Sequence, residues 1–227
     1  MLRQPLVASA VLLSSALAGC VSTKTVGIAP NALAQYRGAT VTVAHREKGG
    51  FIAQTAGKAM FGAIGAVAMI HAGNELIRDD QVPDPAVSIG QALESDLAGQ
   101  DGLKTVDTTV STDTLDISKL ASQYKDADLL VDVVTTYWGI VYFPTNWSHY
   151  KLLYSVKLRL IDTKQAKLIA EGFCTRKQET SPEAAPTKAQ LLDNQAAGLK
   201  KELADAGSYC TEEFRQKALL ETAVASR

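Results

Sequence analysis

Three cysteines are the residues on which this sequence could do covalent chemistry, and their contexts differ. Cys20 closes the run Leu17-Ala18-Gly19-Cys20, behind an apolar stretch from Leu6 to Leu17 and one basic residue, Arg3. A basic start, a short apolar centre and small residues before a cut are the features of a secretory signal. Cys174 and Cys210 stand alone in the second half, and no Cys/His pair has a nucleophile's context. In an oxidising compartment those two can form a single disulfide, worth about 3–4 kcal/mol by loop closure; reduced, they would pack as small apolar side chains. Other chemistry is thinly supported. His45, His71 and His149 have no second ligand at metal spacing. Gly57-Lys58 is not a phosphate loop, because Ile52 stands where its first glycine belongs and Ala59 where Ser or Thr is needed. Asp79, Asp80 and Asp84 lie beside prolines and read as a solvated loop rather than a carboxylate pair, and Lys200-Lys201-Glu202 as a solvated helix face. No catalytic residue, metal or cofactor is expected.

The segment before Cys20 is too short to span a bilayer, which takes about 20 apolar residues. Leu17-Ala18-Gly19-Cys20 resembles the lipobox of bacterial lipoproteins. That resemblance implies a diacylglycerol thioether on Cys20, cleavage before it, and acylation of the new amine. One acyl chain holds a protein only marginally, whereas two or three make release negligible. Val21 follows the cysteine, where an Asp would resemble an inner-membrane retention signal, so the expected address is the periplasmic face of the outer membrane. The partner implied is membrane lipid through acylated Cys20. Asn146-Trp147-Ser148 matches a glycosylation sequon, which a bacterial lipoprotein would not ordinarily have modified.

With residues 1–19 set aside as the signal, the remaining chain fits one domain with a linker. Hydrophobic residues make up 46% and charged residues 21%, enough for a packed core and close to the globular norm. The net charge of −1 comes without a basic stripe, so no nucleic-acid partner is expected.

The expected divisions are a lipidated linker over 20–35, a domain over 36–217 with a Gly/Ala-rich apolar insertion at 49–78, and a C-terminal tail over 218–227. Ala39 to Arg46 is rich in β-branched residues and predicts a first strand. Ile89, Leu93 and Leu97, with Ala92 and Ala98, mark a helical face, followed by a short strand over Leu103–Val106. Asp116 to Tyr124 predicts a short helix capped by its aspartate. Asp128 to Tyr142 predicts a long strand at the sheet's centre. Tyr150 to Asp162 alternates through Tyr154, Val156, Leu158 and Leu160, then turns at Thr163-Lys164-Gln165 into Ala166 to Arg176. Pro186 to Ala206 is amphipathic through Leu192, Ala196, Leu199 and Leu203, and Gly207 is expected to end it. This order predicts an α+β single domain, a mainly antiparallel sheet with a three-stranded meander and helices packed on it. The block KDADLLVDVVTTY, then YSVKLRLIDTKQAKLIAEG and a C-terminal helix, resembles a fold shared by the curli-secretion lipoprotein, the TolB N-terminal domain and the lipoprotein activators of penicillin-binding proteins. The likeness rests on element order over about 39–215, on Ala127-Asp128 before a strand, and on Leu160-Ile161-Asp162-Thr163 at a turn. It implies no catalytic residues.

Two segments depart from an ordinary domain. Gly57 to Gly73 carries glycines at 57, 62, 65 and 73 within a run that could be helical, although each glycine inside a helix costs about 1 kcal/mol. From Ala59 to Ala72 such a helix is about 21 Å long, short of the roughly 30 Å hydrocarbon core. A buried or hairpin-like element, an oligomer interface and a membrane-dipping insertion all stay open. Tyr137 to Tyr154 collects Tyr137, Trp138, Tyr142, Phe143, Trp147, Tyr150 and Tyr154, with Asn146-Trp147-Ser148 expected at a hairpin tip. Alternate aromatics can fill a core; exposed ones suit a partner or lipid headgroups. The expectation is a non-enzymatic, lipid-anchored interaction or assembly factor, with an envelope protein partner or a homo-oligomer. An oligomeric secretion-channel subunit and a small-ligand or cell-wall-binding module are the alternatives.

Overall fold

The computed structural model describes residues 24–29, 31–177 and 180–219. The signal segment, Cys20 and residues 220–227 lie outside the described residues. In chain order the elements are β1 (Thr40–Val43), β2 (His45–Arg46), β3 (Ile52–Ala53), α1 (Ala56–Ala59), α2 (Gly62–Asp79), α3 (Pro85–Asp101), β4 (Lys104–Thr105), β5 (Ser111–Thr112), α4 (Ile117–Gln123), β6 (Leu129–Phe143), β7 (Asn146–Asp162), β8 (Lys167–Lys177) and α5 (Lys188–Phe214). The fold is α+β. The main sheet runs β4-β1-β6-β7-β8, and β3 joins β6 beyond the end of β1. β6, β7 and β8 form the expected antiparallel meander. β1 pairs parallel with β4 and β6, β3 pairs parallel with β6, and β2 and β5 form a separate parallel pair.

The period-2 alternation of β7 buries Tyr154, Val156, Leu158 and Leu160 on one face, against Ile89, Leu93 and Leu97 of α3 and Leu199 and Leu203 of α5. Leu130 and Ile161 point to the other face, where they meet Leu120 and Tyr124 beside α4. Asp84 caps α3, with Pro85 at its first turn, and the Asp116 side chain caps α4 by accepting from Lys119 N at 2.8 Å. Cys174 of β8 and Cys210 of α5 are bonded as a disulfide, their Cα atoms 5.6 Å apart.

Several expectations need correction. Gly207 does not end α5 but lies inside it, because a Cβ there would come within 3.2 Å of Pro85 Cβ: the glycine permits close α3–α5 contact. The same helix breaks at Asp193–Ala196, where Asn194, Gln195 and Ala196 take positive φ. Much of the expected linker is docked: Val26 pairs with Glu171 and Ile28 and Leu33 are buried, while just after it the Tyr36 hydroxyl donates to Asp162 Oδ2 at 2.6 Å. Ala218, assigned to the tail, is fully buried. Asp84 is not solvated; its carboxylate is buried, accepting from Ala86 N at 2.9 Å and Thr135 Oγ1 at 2.5 Å.

Candidate docking site

β3 runs parallel to β6, with Ile52 opposite Gly139 and Ala53 opposite Ile140, and Gln54 N donates to Ile140 O at 2.9 Å. The chain leaving β3 therefore advances towards the β6–β7 turn at Pro144–Thr145. There Thr55 caps α1, and Gly62, at φ +56, lets the chain reverse into α2. α2 then runs back over β3. Its glycines make the return possible: a Cβ at Gly65 would sit 1.9 Å from Lys58 O, and one at Gly73 1.9 Å from Phe51 O. The Asn74 side chain accepts from Phe51 N at 2.9 Å and fixes the lower half of the helix.

Gly65 and Gly73 are thus spent on the chain's own backbone, while Ala63, Ala66 and Ala68 stay exposed beside larger apolar side chains. Met60 is 79% exposed, Phe61 71%, Ile64 81% and Val67 70%. Burying a side chain of this kind is worth about 1.5–3 kcal/mol, so the four leave several kcal/mol available to whatever covers them. Lys58 is the one charged residue between Ala56 and Ile70, and it lies half-buried against α2, its Nζ donating to Ala68 O at 3.3 Å. Polar residues begin abruptly at His71 and continue through Asn74, Glu75, Arg78 and Asp79. No described helix is long and apolar enough to cross a membrane.

The aromatic segment divides into a core and an exposed tip. Trp138, expected at an interface, is 1% exposed: its ring meets Phe51 edge-on at 5.1 Å and its Nε1 donates to Gly49 O at 3.0 Å. Tyr150 and Phe143 are also buried, Phe143 carrying Lys151 Nζ 5.4 Å from its ring centre. Tyr137 and Tyr142 are half-buried, and burial raises the pKa of the Tyr137 and Tyr150 hydroxyls. Strand alternation and packing by residues 49–51 explain the inward set. Trp147 remains 63% exposed, just past the β6–β7 turn, its Nε1 donating to Pro144 O at 3.0 Å. It lies at the end of the sheet to which α1 and the start of α2 are brought.

Two clefts open on either side of Lys48 and Gly49, of about 570 Å³ and about 370 Å³. Both are lined by Asp84, whose burial pushes its pKa up against the opposing pull of Thr135, Ala86 N and Lys48. Deeper lies a charge triad. Asp132, wholly buried, takes Arg46 Nε on Oδ1 at 2.6 Å and Arg159 Nε on Oδ2 at 2.8 Å. The same arginines donate to the carbonyls of Thr114 and Leu115. Every partner of Asp132 belongs to the fold, so the triad reads as architecture. His45 lies in β2, His71 faces Glu75 at 3.4 Å on exposed α2, and His149 pairs with Thr187. Among the described residues, no three His, Cys, Asp or Glu side chains converge to hold a metal.

The sequence signal for the apolar tip is Ile64 and Val67, three apart in α2 on the face away from Gly65 and Gly73, with Met60 and Phe61 in the turn before them.

No family model matches this sequence, and no curated protein matches it. Among solved structures it is similar to the LpoB C-terminal domain from Salmonella enterica, at 12% identity and a TM-score of 0.28, covering 63% of this chain and 84% of that one. It is similar to lipoprotein GNA1162 from Neisseria meningitidis at 16% identity and a TM-score of 0.28, covering 77% and 99%. It is also similar to the PelC dodecamer from Paraburkholderia phytofirmans at 11% identity and a TM-score of 0.27, covering 80% and 95%. At these scores the likenesses transfer no role to this chain.

Proposed function

We propose that this chain is a non-enzymatic envelope protein, tethered through acylated Cys20 at the periplasmic face of the outer membrane, where it acts as an interaction or assembly factor. Its docking end is the α1–α2 tip together with Trp147. The observation that carries this reading is the outward display of Met60, Phe61, Ile64 and Val67 on a helix pair whose inner face is closed against its own backbone. Scattered exposed apolar residues need no explanation, but four on one charge-poor tip mark a contact surface. The secretion-channel alternative draws less support. β6 and β7 exceed the 9–11 residues a membrane strand needs and β8 just meets it, but α3 and α5 cover one face of the meander and α4 packs against the other.

Two measurements in living cells test the reading. A Cys20→Ala protein should leave the membrane fraction and lose lipid label. Photocrosslinkers at positions 64 and 147 should both capture protein or lipid, while one at Lys200 on α5 should not. Equal capture from all three positions, or a membrane-bound, lipid-labelled Cys20→Ala protein, would count decisively against it.

A further inference from the structure

We infer that the occupant of the α1–α2 tip is the hydrocarbon edge of a lipid bilayer, the same bilayer that holds Cys20; this rests on the docking reading above. Three observations converge on lipid rather than on a second copy or a protein groove.

The first is the distribution of polarity on α2. A helix laid in a groove, or against another helix, needs one apolar stripe. Here residues 59–70 include no polar side chain: Ala63, Ile64, Ala66, Val67, Ala68 and Ile70 are all exposed, with the Lys58 side chain laid beside Ala68. Polarity changes along the axis instead, with His71, Glu75, Arg78 and Asp79 crowding the far half. An apolar tip on a polar base suits immersion to a fixed depth. From Gly62 to Ile70 the helix rises about 12 Å at 1.5 Å per residue, against roughly 15 Å for half of a 30 Å hydrocarbon core.

The second is Trp147. It stands exposed at the same end of the sheet with its Nε1 already hydrogen-bonded, an amphipathic ring of the kind that sits at headgroup level.

The third is the direction of the tether. Val26 pairs antiparallel with Glu171, Val26 N donating to Glu171 O at 2.7 Å and Glu171 N to Val26 O at 2.9 Å. Over Lys24–Val26 the chain, traced backwards, therefore points along β8 in the direction of Lys177. Lys177 pairs with Leu153, Leu153 with Gly139, and Gly139 with Ile52, the row above which α1 begins. Cys20 precedes Val26 by six residues, about 20 Å of extended chain. Six residues also separate Glu171 from Lys177. A tether of that length is long enough to reach that row, at the foot of the tip, so acyl chains and tip can meet one membrane plane without bending the domain.

The test uses the acylated full-length protein in phosphatidylethanolamine–phosphatidylglycerol vesicles. Cys20 is blocked by lipid and Cys174 and Cys210 by their bond, so an introduced cysteine is the single free thiol for an environment-sensitive fluorophore. Placed at Ile64→Cys, the probe should emit in the blue and lose about half its intensity when the acyl chains are brominated, as expected for a site several ångströms inside the hydrocarbon. Val67→Cys should behave alike, while Glu75→Cys on the polar half should be insensitive to bromine. A blue but unquenched probe at 64 and 67 would overturn the lipid assignment in favour of a protein occupant and leave the docking end standing. A red, unquenched probe at both positions would overturn the lipid assignment and the docking end together.

Discussion

The two ends of β6 reverse the usual rule for where charge and hydrocarbon belong. At one end Asp132 and Arg159 are sealed inside the protein, with Arg46 against them. At the other, beyond Gly139, four large apolar side chains stand in the open. The difference between the anomalies is satisfaction. Each carboxylate oxygen of Asp132 has an arginine partner, and the arginines reach nearby carbonyls, so the buried charges close on themselves. The tip is closed only on its inner side. A satisfied anomaly is complete within the molecule, whereas an unsatisfied one points to something beyond it.

Removing the centre of the triad should have the largest effect. Asp132→Ala leaves two arginines without their counter-charge in a dry site, a loss of about 3–5 kcal/mol. Chemical denaturation of the purified protein measures it directly. A loss under about 1 kcal/mol would mean that water or the Thr114 and Leu115 carbonyls suffice for the arginines, and the contrast between the two ends would weaken.

Neither end was equally legible in the sequence. The meander could be read because Tyr154, Val156, Leu158 and Leu160 alternate without interruption, and alternation is a local property of the chain. The triad was invisible. Asp132 sits in an apolar run, and its partners are 27 and 86 residues away, a distance no periodicity spans. The glycines of α2 were recognised as unusual, but a glycine records only that something comes close, not which molecule it belongs to. Here it is the chain's own Lys58 and Phe51 carbonyls. Trp138 misled for a related reason: in a strand, exposure depends on what covers it, and its cover comes from residues 49–51.

An intermediate effect should come from the joint between α2 and β3. Gly73→Ala places a methyl group against the Phe51 carbonyl, where backbone must move, at a cost of about 1–3 kcal/mol. Gly57→Ala, with open space around its Cβ, should be neutral or stabilising by up to about 1 kcal/mol. Thermal melts of both variants measure the difference. Equal behaviour would mean that α2 is not held against β3 as closely as the geometry requires.

Smaller still is the pH signature of Asp84. Burial raises its pKa in the fold, so the folded protein holds that proton more tightly than the unfolded chain. Its contribution to stability is therefore most favourable at low pH, falls as pH rises from the ordinary carboxylate range through the raised value, and is flat above it. Asp84→Asn should lack that slope, while Asp128, whose pKa is lowered chiefly by its bonds from Thr40, should still produce the opposite trend in acid. Denaturation midpoints against pH, compared between wild type and variant, isolate the Asp84 component; parallel curves would mean the carboxyl is hydrated.

The smallest expected change in stability belongs to the substitution with the largest expected consequence for contact. Ile64→Asp sets a charge on the outer face of α2, where solvent already surrounds the side chain, so unfolding should shift by no more than about 0.5 kcal/mol. The same change in the core, at Leu158, would leave a carboxylate with no partner and unfold the domain. If the tip is a contact surface, Ile64→Asp should abolish crosslinking from position 147 as well, because Trp147 and α1–α2 meet the same surface. A variant that melts like the wild type yet loses capture at 147 separates contact from folding. Retained capture at 147 would split the docking end into two independent patches and leave the apolar tip needing its own explanation.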